Sequence, residues 1–451
     1  MVVAKGKGEM QTYWLEVAPK DSHSTSDRKS SSSASSGTAD DQKLLDEAAP
    51  IKAVHDPKTT RLVDWNVDVL LRLIKLIVSR RKSCSMPADQ KKPPQEERYK
   101  SDNISTCPLD EVKEIITLPG FIETKKQEDP EEIILPKEVG KQLHDYVSNI
   151  ASIYNNNPFH SFEHASHVTM SVVKLLSRIV APQQLDDVSE SYRDEKALQS
   201  TLHDHTYGIT SDPLTQFSCV LSALIHDVDH CGVPNAQLVK EGHATAQKYV
   251  AKSPAEQNSV DLAWNLLMED QYATLRSTIY QTDAELVRFR QLVVNSVMAT
   301  DIADKELKVL RNLRWDRAFS SRTVDLDKRD TVNRKATIVI EHLIQASDVA
   351  HTMQHWHIYR KWNERFFIEC YQAYKEGRAE NNPADGWYEG EIGFFDYYIV
   401  PLAKKLKDCG VFGVSSDEYL NYAIRNRQEW ESRGREIVSE MVEMVSLKMK
   451  A

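Results

Sequence analysis

Past residue 59, apolar residues recur three and four positions apart, and no run alternates convincingly two by two. A strand would need its buried residues at every second position, so this spacing restricts the fold to packed helices. Leu62, Trp65, Val69, Leu70, Leu73, Ile74 and Ile77 set the first helix. Arg80, Arg81 and Lys82 close it with positive charge, which is favourable at a carbonyl end. A second helix follows Leu135 and breaks at Asn155 to Pro158, and another opens within PFHSFEHASHVTM. The run from Leu214 to Ile225 is apolar and helical, and helical patterns continue over 255–270, 283–313, 334–376 and 415–448. Residues 181–213 read as a polar surface connection. The expected fold is all-α: a compact multi-helix domain over 59–447, with 83–134 partly loop or insertion. Residues 1–58 read as a disordered, Ser-rich tail, because KDSHSTSDRKSSSSASSGTADDQ offers too little apolar surface to offset ordering entropy.

Bulk properties exclude some functions. A net charge of −10 disfavours tracking a nucleic-acid backbone, so no nucleic-acid partner is expected. A small anionic ligand remains compatible, since bound cations can supply local positive charge. No run approaches the roughly 18 apolar residues of a membrane span, and the N-terminus lacks a secretory apolar stretch. The cysteines at 84, 107, 219, 231, 370 and 409 form no CxxC pair and read as free thiols in a reducing compartment. The expected location is cytoplasmic, with membrane association only through a partner or a larger parent chain.

The residues that point to chemistry begin with His226 and Asp227, adjacent in ALIHDVDHCGVPN directly after an apolar run. An imidazole and a carboxylate there can hold a metal from two sides. The alternative is a buried His–Asp hydrogen-bonded pair ending a helix. Burying such groups uncompensated costs several kcal/mol each, and a metal removes most of that penalty. His160 and His164 are one helical turn apart and share a face, although such a spacing alone is more often a surface or capping pair. Asp348 ends another apolar run, ATIVIEHLIQASD, where a lone aspartate is more often a helix-end group. Two histidines and two aspartates make a ligand set for zinc or a similar ion, with water in the open positions. Glu256 and Thr300 read in isolation as ordinary helix surface. His203 and His205 read as surface histidines of a polar loop.

These segments resemble the catalytic domain of the mammalian-type 3′,5′-cyclic-nucleotide phosphodiesterases, within the HD metal-hydrolase group. PFHSFEHASH is similar to the family's His-Asn-x-x-His-Ala element, and ALIHDVDHCGVPN to its most specific signature. SPAEQNSV, ATD at 299–301, QASDVAH at 345–351 and GEIGFFDYYIVPL at 390–402 match in order and spacing. The resemblance implies hydrolysis of the 3′ phosphoester bond of cAMP or cGMP to the 5′-monophosphate. His164, His226, Asp227 and Asp348 would bind one metal, usually zinc. Asp227 would bridge to a second, usually magnesium, with manganese an alternative. His230, Glu256 and Thr300 would orient waters around the metals, and His160 would be the general acid.

Three positions depart from the family pattern. Glu391 stands where the family has a base-reading glutamine, His351 where an asparagine follows the last metal aspartate, and Ser161 where an asparagine follows the general acid. Phe394 matches the family's aromatic wall, and Phe366 falls where the opposite wall is usually aliphatic, so two phenyl faces would flank a purine. The alternative for Phe366 is plain core. The expected partner is a small cyclic nucleotide, and a homodimer is left open. Two other functions stay open at this stage: an HD-group phosphohydrolase acting on another nucleotide, and a silent cyclic-nucleotide binding module.

Overall fold

The computed structural model describes residues 2–3, 9–10, 55–83, 92–100, 107–122, 129–179, 195–319 and 328–448. The chain divides into Met1–Lys52 and Ala53–Ala451. In the first unit, Val2–Val3 (β1) and Glu9–Met10 (β2) pair antiparallel. The serine-rich stretch lies outside the described residues.

The second unit is all helix and turn among its described residues. In order, the helices are α1 (Pro57–Ser83), α2 (Pro108–Glu111), α3 (Lys137–Ile153), α4 (Phe162–Ser177), α5 (Glu195–His205) and α6 (Pro213–Ile225). They continue as α7 (Asn235–Lys240), α8 (Ala244–Lys248), α9 (Pro254–Met268), α10 (Ala273–Ile279), α11 (Asp283–Met298) and α12 (Lys305–Phe319). The last are α13 (Lys328–Asp348), α14 (Trp356–Lys375), α15 (Trp387–Phe394), α16 (Val400–Asp408) and α17 (Val414–Lys448). No described helix is long and apolar enough to cross a membrane.

Helix α6 organises the core. Almost every one of its residues is buried, and it packs against α11, α4 and α1. A mostly apolar helix whose few polar residues are small apart from Gln216 has little solvent face to present and is surrounded. The chain past Ile225 therefore starts deep inside the protein, and that is where His226 and Asp227 fall. Helix α4 lies beside α6 and against α13, so the ends of three neighbouring elements meet in one place.

Several expected boundaries shift. The run at 283–313 is two helices, α11 and α12, parted by Ala299–Asp304. The run at 334–376 is likewise parted between α13 and α14, where Ala350–Met353 forms a 3-10 turn. Neither break contains Gly or Pro. Residues 181–213 are not only a polar connection: Glu195–His205 is helical, and His203 is buried there with Nδ1 2.5 Å from Ser211 Oγ. His203 and His205 thus belong to a helix rather than a loop.

Candidate active site

The turn after α6 carries the first pair of candidate ligands. His226, the C-cap of α6, keeps helical backbone angles, and its Nδ1 lies 2.9 Å from the Ala223 carbonyl oxygen. A carbonyl can only accept, so that nitrogen carries a hydrogen, and in the neutral ring Nε2 keeps its lone pair. Asp229, two residues beyond Asp227, takes a left-handed backbone with φ of 62°. An aspartate tolerates that conformation better than most residues. Its side chain accepts from Asn258 at 3.0 Å and Asn155 at 3.3 Å, which fastens the turn and leaves Asp227 to face inward.

Helix α4 brings His164, and the end of α13 brings Asp348. Ser161 caps α4, its hydroxyl accepting from the His164 backbone N–H at 3.4 Å. His164 Nε2 is 3.1 Å from Asp348 Oδ1 and 3.8 Å from Asp227 Oδ2. His226 Nε2 is 3.0 Å from Asp227 Oδ2 and 3.4 Å from Asp348 Oδ1. Ligand atoms of His164, His226 and Asp227 all lie within 4.8 Å of one another. His226 Nε2 is fully buried and yet aligned for a hydrogen bond with none of its neighbours. His164 and Asp348 pair directly, whereas His226 Nε2 is left toward the same cluster without a bond of its own, which suits a cation.

Electrostatics agree. Burial opposes charge on His226, but Asp227 and Asp348 hold its imidazole well above the usual range. Burial would push both carboxyls up, and the neighbouring imidazoles hold them below the usual range. A bound cation takes over the role of that proton, since it stabilises both carboxylates and a neutral imidazole.

His160 stands beside this cluster. Its Nδ1 makes a short contact with Glu369, and its ring stacks on His230 with centroids 3.8 Å apart. Glu369 is buried on α14 and also accepts from the backbone N–H of Phe159 at 2.8 Å and of His160 at 3.0 Å. Burial opposes the charge on His160, and Glu369 lifts its pKa to about 9. Glu369 was not anticipated from the sequence. The available signal was an acid inside the aromatic stretch FFIECYQAY, where an unpaired charge would be costly. His230 is oriented by the Gly232 backbone N–H, which donates to its Nδ1 at 3.1 Å.

Glu256 lies on α9, where Asn235 donates to its carboxylate at 2.9 Å and reaches Asp301 at 3.3 Å. Burial, reinforced by Asp301, pushes Glu256 up to about 8. Asp301 is a second acid that was not singled out. Thr300 donates its hydroxyl to the Val297 carbonyl at 2.7 Å and makes no described contact with the four candidate ligands.

The remaining site residues meet in a cavity of about 260 Å³, small enough for a single small molecule. His160, His230 and Asp348 line it, as do His351, Phe366, Phe394 and Glu391. A π-helical segment, Phe395–Ile399, follows Phe394 immediately and joins α15 to α16. Phe366 packs on Phe159 with ring centroids 5.0 Å apart and is half-buried in the cavity wall.

Fold and cluster together define a helical protein with a candidate metal centre beside an aromatic cavity that Asp348 also lines. Comparison with known proteins narrows this class. The pattern of the 3′5′-cyclic nucleotide phosphodiesterase family matches residues 159–411, more than half of the chain, and the chain belongs to that family. Over 300 residues it is 24% identical to a probable 3′,5′-cyclic-AMP phosphodiesterase of Caenorhabditis elegans, covering 64% of this chain and 39% of that protein. Over 298 residues it is 21% identical to a cGMP-specific 3′,5′-cGMP phosphodiesterase of Dictyostelium discoideum, covering 64% of this chain and 55% of that one. The chain thus spans about half the length, or less, of these relatives. The phosphodiesterase domain of a Salpingoeca rosetta rhodopsin phosphodiesterase shares the fold, with a TM-score of 0.50 at 21% identity, over 68% of this chain and 84% of that one.

Proposed function

We propose that this chain hydrolyses 3′,5′-cyclic nucleotides to nucleoside 5′-monophosphates. His164, His226, Asp227 and Asp348 would hold a divalent cation, zinc by its mixed nitrogen and oxygen donors, and Asp227 would share a second, magnesium or manganese. One observation carries this reading: two imidazoles and two carboxylates converge within 3.0–3.8 Å, and the buried His226 Nε2 is without a hydrogen-bond partner. Bound cations would neutralise the phosphate and acidify water for attack on phosphorus.

The chain's own residues supply the rest. Breaking the P–O3′ bond leaves an alkoxide, a poor leaving group that needs a proton. His160 Nδ1 is engaged by Glu369, so its Nε2–H is the proton available for O3′. Glu369 keeps that imidazole protonated at neutral pH. Phe366 and Phe394 give a purine two ring faces. His230, Glu256 and Thr300 would orient water. The cytoplasm, where free thiols persist, is the proposed setting.

Incubation of the purified chain with cAMP and with cGMP, with and without chelator, tests the reading. It expects 5′-monophosphates that vanish on chelation and return with added metal. Failure to consume either cyclic nucleotide in the presence of zinc and magnesium would refute it.

A further inference from the structure

We infer that Glu391 reads the substrate's base as a fixed hydrogen-bond acceptor, so that this chain takes guanine in preference to adenine. The inference rests on the reading above, in which a cyclic nucleotide occupies the cavity. Its basis is the orientation of the side chains around one carboxyl. Trp387 Nε1 can only donate, and it reaches Asn363 Oδ1 at 3.2 Å. This contact fixes which end of the Asn363 amide is oxygen and leaves the NH2 end to interact with Glu391. Tyr359 donates its hydroxyl to Glu391 Oε2 at 2.6 Å. Both neighbours thus offer hydrogen to Glu391, and such surroundings favour the ionised, accepting form. A carboxylate has about four lone-pair sites, so two donors leave accepting capacity toward the cavity that Glu391 lines.

The chemistry of the bases then decides. The cavity carries Asp348, His160 and His230 as well as Glu391, Phe366 and Phe394. A nucleotide with its phosphate at the cation cluster would direct its base toward the aromatic walls and Glu391. Guanine has two donors side by side, N1–H and the 2-amino group, and one carboxylate can accept both. Adenine places its 6-amino donor beside the N1 acceptor, so a carboxylate gains one contact and meets a lone pair at the other. An amide could turn over and serve either base. A carboxylate gains a donor only by protonation.

Protonation is within reach. Burial pushes the Glu391 carboxyl up to about 7, against the Tyr359 hydroxyl and Asn363 amide that hold it down. The titratable groups facing it on α14 are Tyr359 and Cys370, both kept neutral because burial raises them. Helix α17 contributes the Trp430 ring and the π segment the Phe395 ring, each packed on Tyr359. His351, in the same cavity, is kept neutral by burial. Guanine preference therefore grows as pH rises through the neutral range and shrinks below it.

The test measures kcat/KM for cGMP and cAMP, and calorimetric affinities for GMP and AMP, in the wild-type chain and in Glu391→Gln. At about pH 8.5 the wild type is expected to favour the guanine member by roughly tenfold or more in both measurements. Both ratios should fall several-fold at about pH 6, and Glu391→Gln should lower them at the higher pH and remove the pH dependence. An adenine preference, or ratios that Glu391→Gln leaves unmoved, overturns the inference while cyclic-nucleotide hydrolysis stands. Turnover of neither nucleotide, with GMP still bound more tightly than AMP, overturns the hydrolysis reading and supports the role of Glu391. Equal binding without turnover overturns both.

Discussion

In one region of the site, each of two imidazoles, from α4 and the end of α6, lies 3.0–3.8 Å from each of two carboxylates, from the turn after α6 and the end of α13. In another, one carboxyl that lines the cavity is fastened by Tyr359 and flanked by Asn363. The first holds the residues that the resemblance read from the sequence led one to expect there. The second holds Glu391, where that resemblance led one to expect a glutamine. The contrast is physical. A cation demands several charged donors at fixed distances, so losing any one leaves buried charge uncompensated. A base is held by shape plus one or two polar contacts, and replacing one of those retunes the choice of base without dismantling the site.

Substitutions can break this contrast, and the largest effects belong at the cation end. Asp227→Asn is expected to lower turnover by roughly a thousandfold or more and to release metal, since cations supply several kcal/mol to such reactions. Elemental analysis alongside kinetics checks both. Retained metal with full turnover would remove Asp227 from the ligand set. Next, His160→Ala should lower turnover by about a hundredfold or more with metal content intact. Unchanged turnover would refute its acid role.

Glu369→Gln comes third, at roughly tenfold in kcat with little change in KM. Its sign with pH can be worked out. Burial opposes protonation of His160 and Glu369 lifts it to about 9, so losing the carboxylate lowers that pKa. The acid must be protonated to act, so the alkaline fall in kcat should move to lower pH. A profile that drops in height without moving would leave Glu369 a purely structural role. The smallest effect belongs at the base end. Trp387→Phe removes the donor that orients Asn363 and should reduce discrimination between cGMP and cAMP about two- to fivefold, the worth of one hydrogen bond. An unaltered ratio would separate Asn363 from base reading.

The same contrast explains what could be read in the sequence. The helices were legible because their apolar spacing is long and regular, and the His/Asp cluster drew notice because such residues after an apolar run have few other uses. The breaks at Ala299–Asp304 and between Asp348 and Trp356 were not, since no Gly or Pro marks them. Tertiary packing ends those helices where acids turn toward the site. Helix α5 was missed because its sequence EKALQSTLHDH is polar and lies among polar neighbours. Glu369 and Asp301 escaped for a different reason. Their partners, His160 and Asn235, are distant in sequence, and no local pattern announces a contact made only by the fold. Glu391 stood out only as a departure from a resemblance. The orientation of its neighbours through Trp387 required the three-dimensional arrangement.

The central claim is that His164, His226, Asp227 and Asp348 enclose a cation. Anomalous diffraction at the zinc edge, on crystals of the metal-loaded chain, tests it most directly. The account predicts a strong peak about 2.0–2.2 Å from Nε2 of both histidines and from an oxygen of each aspartate. A peak elsewhere, or none at this cluster in active protein, would contradict it.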